Sequence, residues 1–103
     1  MFDFHADRKK YFDIQAANAR KYVIPFISET FPVSPGQRVL EIGCGEGGVL
    51  KAFVEAGCEG VGVELDKPRV EDAKKFLPEE IAAGKIRFVV RNIYDPLDRK
   101  SVV

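Results

Sequence analysis

Glycines and carboxylates are the residues of this chain whose types and spacing could do chemistry. Gly43, Gly45, Gly47 and Gly48 follow the apolar run Val39-Leu40-Glu41-Ile42, with Glu41 two residues before the first glycine and Glu64 on the next candidate strand. Glycines in such a turn give the chain φ/ψ values closed to other residues and leave its backbone open to close approach. A strand that breaks into a glycine turn and passes at once into a helix aims free N–H groups at a ligand. The turn alone does not name that ligand, and the two carboxylates narrow it. Cys44 sits inside the turn, where backbone contact is the role expected of it. With no His or second Cys at ligand spacing, neither nucleophile nor metal chemistry follows from it. Cys58 reads as a small buried hydrophobe, and His5, the only histidine, lies near an end expected to fray.

The elements that must position these residues alternate. Residues 7–30 read as one helical segment, because Phe12, Ala16, Ala19, Val23 and Phe26 or Ile27 recur at spacings of three and four. Pro25 should kink or interrupt it. Tyr11 and Arg20 on this segment are candidates to reach the site; the plainer reading is a covering helix that buries its stripe. Pro32, Pro35 and Gly36 make a turn, and Arg38 to Ile42 form the first strand. A helix from about Gly47 to Ala56 follows, with Gly57 as a left-handed stop. Glu59 to Leu65 supply a second strand. Asp66 stands at the N-cap position of a helix with Pro68 in its first turn. That helix carries Val70, Ala73, Phe76 and Leu77 on one face. Pro78 breaks it, residues 79–83 add one or two turns, and Gly84 closes them. Ile86 to Val90 form the third strand, and residues 92–103 read as a loop. Short connections between alternating strands and helices give right-handed crossovers and a parallel sheet. Ligands of such sheets bind at the carboxyl ends of the strands. Glu41 to Gly47, Glu64 to Asp66 and Arg91 to Ile93 all fall there, so three segments converge on one crevice.

Composition sets the outer bounds. At 103 residues the chain is at most one small domain, read as an N-terminal helical cap over 1–35 and a βαβαβ core over 36–95. Apolar residues make up 46%, enough for a globular core and too many for disorder. Sixteen basic and sixteen acidic residues cancel, so the balance calls for neither nucleic acid nor an anionic membrane. No apolar run is long enough to span a bilayer and the N-terminus has no secretory pattern, which makes the cytoplasm the expected location. Two cysteines make no disulfide framework.

The pattern Glu41-x-Gly43-x-Gly45-x-Gly47 resembles the nucleotide-binding signature of class I S-adenosylmethionine (SAM) dependent methyltransferases. The likeness extends to Gly62-Val63-Glu64-Leu65-Asp66 and, more weakly, to Phe88-Val89-Val90-Arg91-Asn92, and covers about residues 36–95. It implies a Rossmann-like α/β fold with SAM as cofactor. By this resemblance Gly43, Gly45 and Gly47, with the backbone of Cys44, would surround the methionine moiety, and Glu41 would hold its ammonium group. Glu64 would accept both ribose hydroxyls, and Leu65 would pack on the adenine. Asn92 stands where the family usually has an aspartate that accepts a bond from the adenine amino group, and an amide carbonyl can accept it too. Ile93 belongs to the same segment, and Asp95 is the spare acceptor.

Gly43-x-Gly45-x-x-Gly48 also satisfies the dinucleotide fingerprint, with Glu64 at about the distance expected for a ribose contact. Charge separates the two ligands. A pyrophosphate on this loop would lie close to Glu41 and Glu46. Two unit charges ~5 Å apart at an effective dielectric of ~20 repel by roughly 3 kcal/mol, about two decades in affinity. SAM has no phosphate and carries an ammonium and a sulfonium, which an acidic loop helps.

The family's sheet runs 3-2-1-4 and onward, and this chain supplies three strands. The groups that handle the methyl acceptor usually follow the fourth. The expectation is therefore a cofactor-binding half, truncated after about three strands, inactive alone, with no assignable catalytic residue and an unidentified small-molecule acceptor. An NAD(P) oxidoreductase fragment and a non-catalytic assembly domain are the alternatives. The first strand should form an open edge and one sheet face should lie bare, which predicts self-association.

Overall fold

A computed structural model describes residues 4–92. Along the chain come α1 (Phe4–Asn18), a π-helical turn (Ala19–Val23), α2 (Ile24–Ser28), β1 (Arg38–Ile42), α3 (Gly48–Glu55), β2 (Glu59–Glu64), α4 (Lys67–Phe76), α5 (Pro78–Ala82) and β3 (Ile86–Val90). The three strands form one parallel sheet in the order β1-β2-β3, with Leu40 beside Val61 and Gly62 beside Phe88. This is the α/β, Rossmann-like arrangement expected from the alternation, with β1 at an edge. Ile93, Tyr94 and Asp95 lie outside the described residues.

Residue type explains why the layers fit. Gly60 and Gly62 present no side chain to the helical layer: a Cβ on Gly60 would stand 3.1 Å from Leu50, and one on Gly62 only 2.5 Å from the Cys44 sulfur. Two strand glycines therefore let α3 lie directly on the sheet. The core on that face joins Phe12, Cys44, Leu50, Val54, Leu77 and Ile86, with Val39, Phe76, Ile81 and Phe88 packed against it. Phe12 of α1 and Phe76 of α4 meet at 5.2 Å between ring centroids, so α1 is tied to both α3 and α4.

The N-terminal stripe holds only in part. Phe12, Ala16 and Ala19 are buried as the spacing predicts, whereas Phe26 is exposed. Pro25 cannot donate to the carbonyl one turn back. The chain widens before it, Ile24 N–H reaching back to Ala19 O, and continues as α2. The extra residue in a π turn rotates everything downstream, and a strict three-four spacing no longer points at the core.

Candidate functional site

The glycine loop is built by local chemistry before any ligand is considered. Gly43, Gly45 and Gly47 take φ of 74°, 56° and 86°, the left-handed region that side chains resist. Gly43 N–H donates to Val63 O at 2.7 Å, anchoring the loop to the end of β2, and Gly47 N–H returns to Cys44 O at 3.0 Å. At Gly47 a side chain would also meet Phe88 at 2.9 Å, so this glycine answers the core as well as the turn. At Gly43 nothing lies within 4 Å of the missing Cβ, and its backbone faces open space.

Around the loop stand three carboxylates in three states. Glu41, on the helix-side face of β1, is half-buried, and its Oε1 is buried without a hydrogen-bond partner. Burial pushes its carboxyl up to about 7. Glu64 is buried, and both of its oxygens are engaged: Oε1 accepts Gly45 N–H and Oε2 accepts Asp66 N–H, each at 2.9 Å. Burial alone would raise this carboxyl, but the N–H groups of Asp66 and Gly45 and the charge of Arg69 outweigh it and hold the value below the ordinary one. Glu46 is buried at 6% exposure with its Oε1 3.5 Å from Arg69 Nε. The repulsion that the sequence assigns to Glu46 against a pyrophosphate is therefore reduced by a partner, and that assigned to Glu41 is reduced by its raised value.

The remaining expected residues fall as follows. Leu65 is 66% exposed just past β2, the rim of the crevice. Asn92 is half-buried just past β3, and Arg91 N–H bonds Glu64 O at 2.9 Å, so the third segment does join the first two. The Cys44 thiol is buried, and desolvation followed by the charges of Glu41 and Glu64 pushes it up to about 12, which disables it as a nucleophile at neutral pH. Cys58 is buried with its thiol 3.7 Å from Ser34 O. Tyr11 does come near the loop: with Arg8, Gln15, Glu46 and Arg69 it lines a cavity of about 300 Å³. Arg20 does not. It pairs with Glu55 at 2.7 Å, at the far end of α3 from the glycines. Asp66 holds the N-cap position of α4 but makes no side-chain capping bond.

Two contacts were not readable from motifs. Arg8 bonds the buried Asp72 at 2.5 Å, fixing the start of α1 to the middle of α4. Arg69 reaches from α4 to the loop, its guanidinium 3.8 Å from where a Gly45 Cβ would stand. An acidic residue among the apolar positions of α4 is the one signal that could have flagged Asp72. Among the described residues no group of three His, Cys, Asp or Glu could hold a metal ion, and no helix is long and apolar enough to cross a membrane.

A parallel sheet with a glycine turn after its first strand and carboxylates at the first two strand ends defines a nucleotide-cofactor crevice of Rossmann type. The family model described as "Methyltransferase domain" matches residues 15–98. The chain belongs to this family, the class I SAM-dependent methyltransferases, whose cofactor is SAM. A curated relative, "Probable ribosomal RNA small subunit methyltransferase A" of Methanospirillum hungatei, is 36% identical over 64 residues, which cover 62% of this chain and 25% of the relative. Among solved structures, one named as an S-adenosyl-L-methionine-dependent methyltransferase of Methanococcus maripaludis superposes with a TM-score of 0.67 at 18% identity, covering 93% of this chain and 46% of the other. Magnesium protoporphyrin IX methyltransferase of Synechocystis PCC 6803, solved with bound SAM, gives a TM-score of 0.60 at 16% identity over 89% of this chain and 43% of that one. The chain thus spans a quarter of that curated relative and under half of those two solved chains.

Proposed function

We propose that this chain binds SAM and forms the cofactor side of a methyltransferase. The observation that carries the reading is Glu41: a buried carboxylate oxygen with no partner, beside an open glycine backbone. A buried polar atom left unsatisfied costs about 1–3 kcal/mol, and a cationic ligand at that place removes the cost. Charge favours an ammonium group there over a pyrophosphate.

Gly43, Gly45, Gly47 and the backbone of Cys44 cradle the amino-acid moiety of the cofactor. Glu64 has one lone pair left on each oxygen after its two backbone bonds, enough to accept the ribose hydroxyls. The exposed Leu65 is an apolar platform for the adenine, and the Asn92 carbonyl accepts from its amino group. When bound, SAM supplies an electrophilic methyl on its sulfonium. The work of the protein is then to hold that methyl in line with an acceptor and to keep water off it. No residue of this chain is assigned to the acceptor, and methyl transfer by the isolated chain is expected to be absent. A small molecule is the acceptor class favoured by the balanced charge. The 36% identity to a protein named for ribosomal RNA methylation makes RNA the second reading.

Calorimetry with SAM, S-adenosylhomocysteine and NAD tests the proposal. Heat with the first two and none with NAD is the expected outcome. Heat with NAD alone would overturn it in favour of an oxidoreductase, and silence from all three would favour an assembly role. Release of labelled methyl to any acceptor by the homogeneous chain would refute the expected inactivity.

A further inference from the structure

Gly45 is held on one side and flanked on the other, and only the first of these belongs to the family signature. On one side its N–H is fixed by Glu64 Oε1 at 2.9 Å. On the other lies the guanidinium of Arg69, with Nη1 3.8 Å and Cζ 4.0 Å from the position of the absent Cβ. Arg69 stands in the first turn of α4, where its own N–H bonds Asp66 O at 3.1 Å, so its backbone is fixed to the same turn that Glu64 Oε2 organises. From there the side chain spans to Glu46 Oε1 at 3.5 Å, next in sequence to Gly45. Glu46 is nearly sealed from water, whereas half of the Arg69 side chain remains solvated. The pair is therefore asymmetric: without Arg69 the buried Glu46 loses its ion-pair partner and keeps only the attraction of Arg8, while without Glu46 the solvated Arg69 loses little. Arg69 also bears on Glu64, since its charge is among the causes that keep that carboxyl ionised.

We propose that Arg69 is a positioning residue of the glycine loop, acting through Glu46 and Gly45 rather than by touching the cofactor. This deepens the SAM-binding reading and rests on it for its functional consequence. Glu41 precedes the loop, Glu46 lies in it and Glu64 bonds it from β2, and negative charge so gathered works against a closed loop. Arg69 is the cation in ion-pair contact with the loop, and Arg8 adds to its attraction for Glu46. Its planar fork can lie flat against Gly45 while reaching Glu46, which a lysine's point charge cannot do.

Amide hydrogen exchange followed by NMR, on the wild-type chain, Arg69→Met, Glu46→Gln/Arg69→Met and Arg69→Lys, tests the inference without any ligand. Methionine keeps most of the aliphatic stem and removes the charge. In Arg69→Met the Gly45 and Gly47 amides should exchange roughly tenfold faster than in the wild type, with β2 and α3 amides unchanged. Arg69→Lys should fall between. In the double variant no buried charge is left unpaired, and loop exchange should return toward the wild-type rate. S-adenosylhomocysteine affinity by calorimetry should follow the same order: weakened about tenfold in Arg69→Met and largely restored in the double variant. Loop amides in Arg69→Met that exchange at the wild-type rate would overturn the proposal. So would a double variant that binds as weakly as Arg69→Met, because Arg69 would then act on the cofactor directly. If Arg69→Met does not fold, the comparison of Arg69→Lys with the wild type decides in the same way. A wild-type chain that binds neither SAM nor S-adenosylhomocysteine would sink the cofactor reading and leave the exchange result to judge Arg69.

Discussion

Glu41 and Glu64 are both strand-end carboxylates, and their surroundings give them opposite behaviour. Glu41 is held at about 7 by burial and has an oxygen without a partner. Folded, it binds more protons than the unfolded chain does between about 4.5 and about 7, so its contribution to stability falls as pH rises through that window. A separation of this size is worth at most about 3 kcal/mol, and half-burial reduces it to of order 1–2 kcal/mol. Glu41→Gln should therefore be more stable than the wild type at pH 8, little changed at pH 5, and weaker in binding a cationic cofactor. Urea melts at the two pH values, with calorimetry beside them, measure both effects; a variant no more stable at pH 8 would mean that Glu41 is solvated. Glu64 is the converse case. Its lowered value means that its stabilisation is present above the ordinary carboxylate range and is lost as pH falls through the folded-state value. Glu64→Ala removes acceptors from two backbone N–H groups as well as from the ribose. It should weaken SAM by roughly 1.5–3 kcal/mol and also destabilise the chain by about 1–3 kcal/mol. From the sequence the first loss is expected with little loss of fold stability, because a motif names a ligand contact and is silent on what else the carboxylate holds. Unchanged SAM affinity would reduce Glu64 to a clamp on the loop.

At the scale of elements, the contact between α1 and α3 is the one a single atom can break. A Cβ on Gly48 would stand 2.6 Å from the backbone carbonyl of Phe12 and 2.7 Å from Gln15 Cβ. A carbonyl in mid-helix cannot turn aside, so Gly48→Ala should push α1 off the start of α3 and cost about 1–3 kcal/mol, by analogy with overpacked cores. Thermal melting of that variant is the measure, and a melting temperature equal to the wild type would mean that α1 is loosely docked. The fold was largely legible before such contacts were known. Strands Arg38 to Ile42 and Ile86 to Val90 fall on their predicted residues, since a short apolar-rich run soon after a glycine turn has few other readings. The glycine loop was legible for the same reason: three positive φ angles demand three glycines at fixed spacing. What could not be read is pairing across long separations. Arg8 with Asp72, and Arg69 with Glu46 and Gly45, depend on how α4 lies against α1 and the loop, and no local period encodes that. Nor did the stripe through Phe26 foresee the π turn, because a helix can absorb a proline by widening as well as by ending.

Among the described residues the sheet has one face covered by helices and one open edge. The helices α3, α4 and α5 pack on the side of the sheet marked by Gly60, Gly62, Ile86 and Phe88. On the opposite side Leu40 and Ile42 of β1 are each 58% exposed, Val61 and Val89 are half-buried, and only Val63 of the central strand is covered. Among the described residues β1 pairs with β2 alone, so its outer N–H and C=O groups form a template for another strand. Phe31, 71% exposed, lines a hollow with Val39 and Leu40 beside this edge, and Phe26 is 74% exposed. Apolar surface beside an open strand is rarely left to water in a stable monomer. We propose that the chain self-associates through this edge, most simply as a two-fold dimer in which the β1 strands pair or the bare faces meet. Light scattering at micromolar concentration should give about twice the 11.5 kDa mass of the chain. Leu40→Lys/Ile42→Lys, which alters only exposed positions, should return it to a monomer with little change in the core. A wild-type chain that is monomeric and melts cooperatively at that concentration would refute the dimer, and would mean that Leu40 and Ile42 are covered by the chain itself in solution.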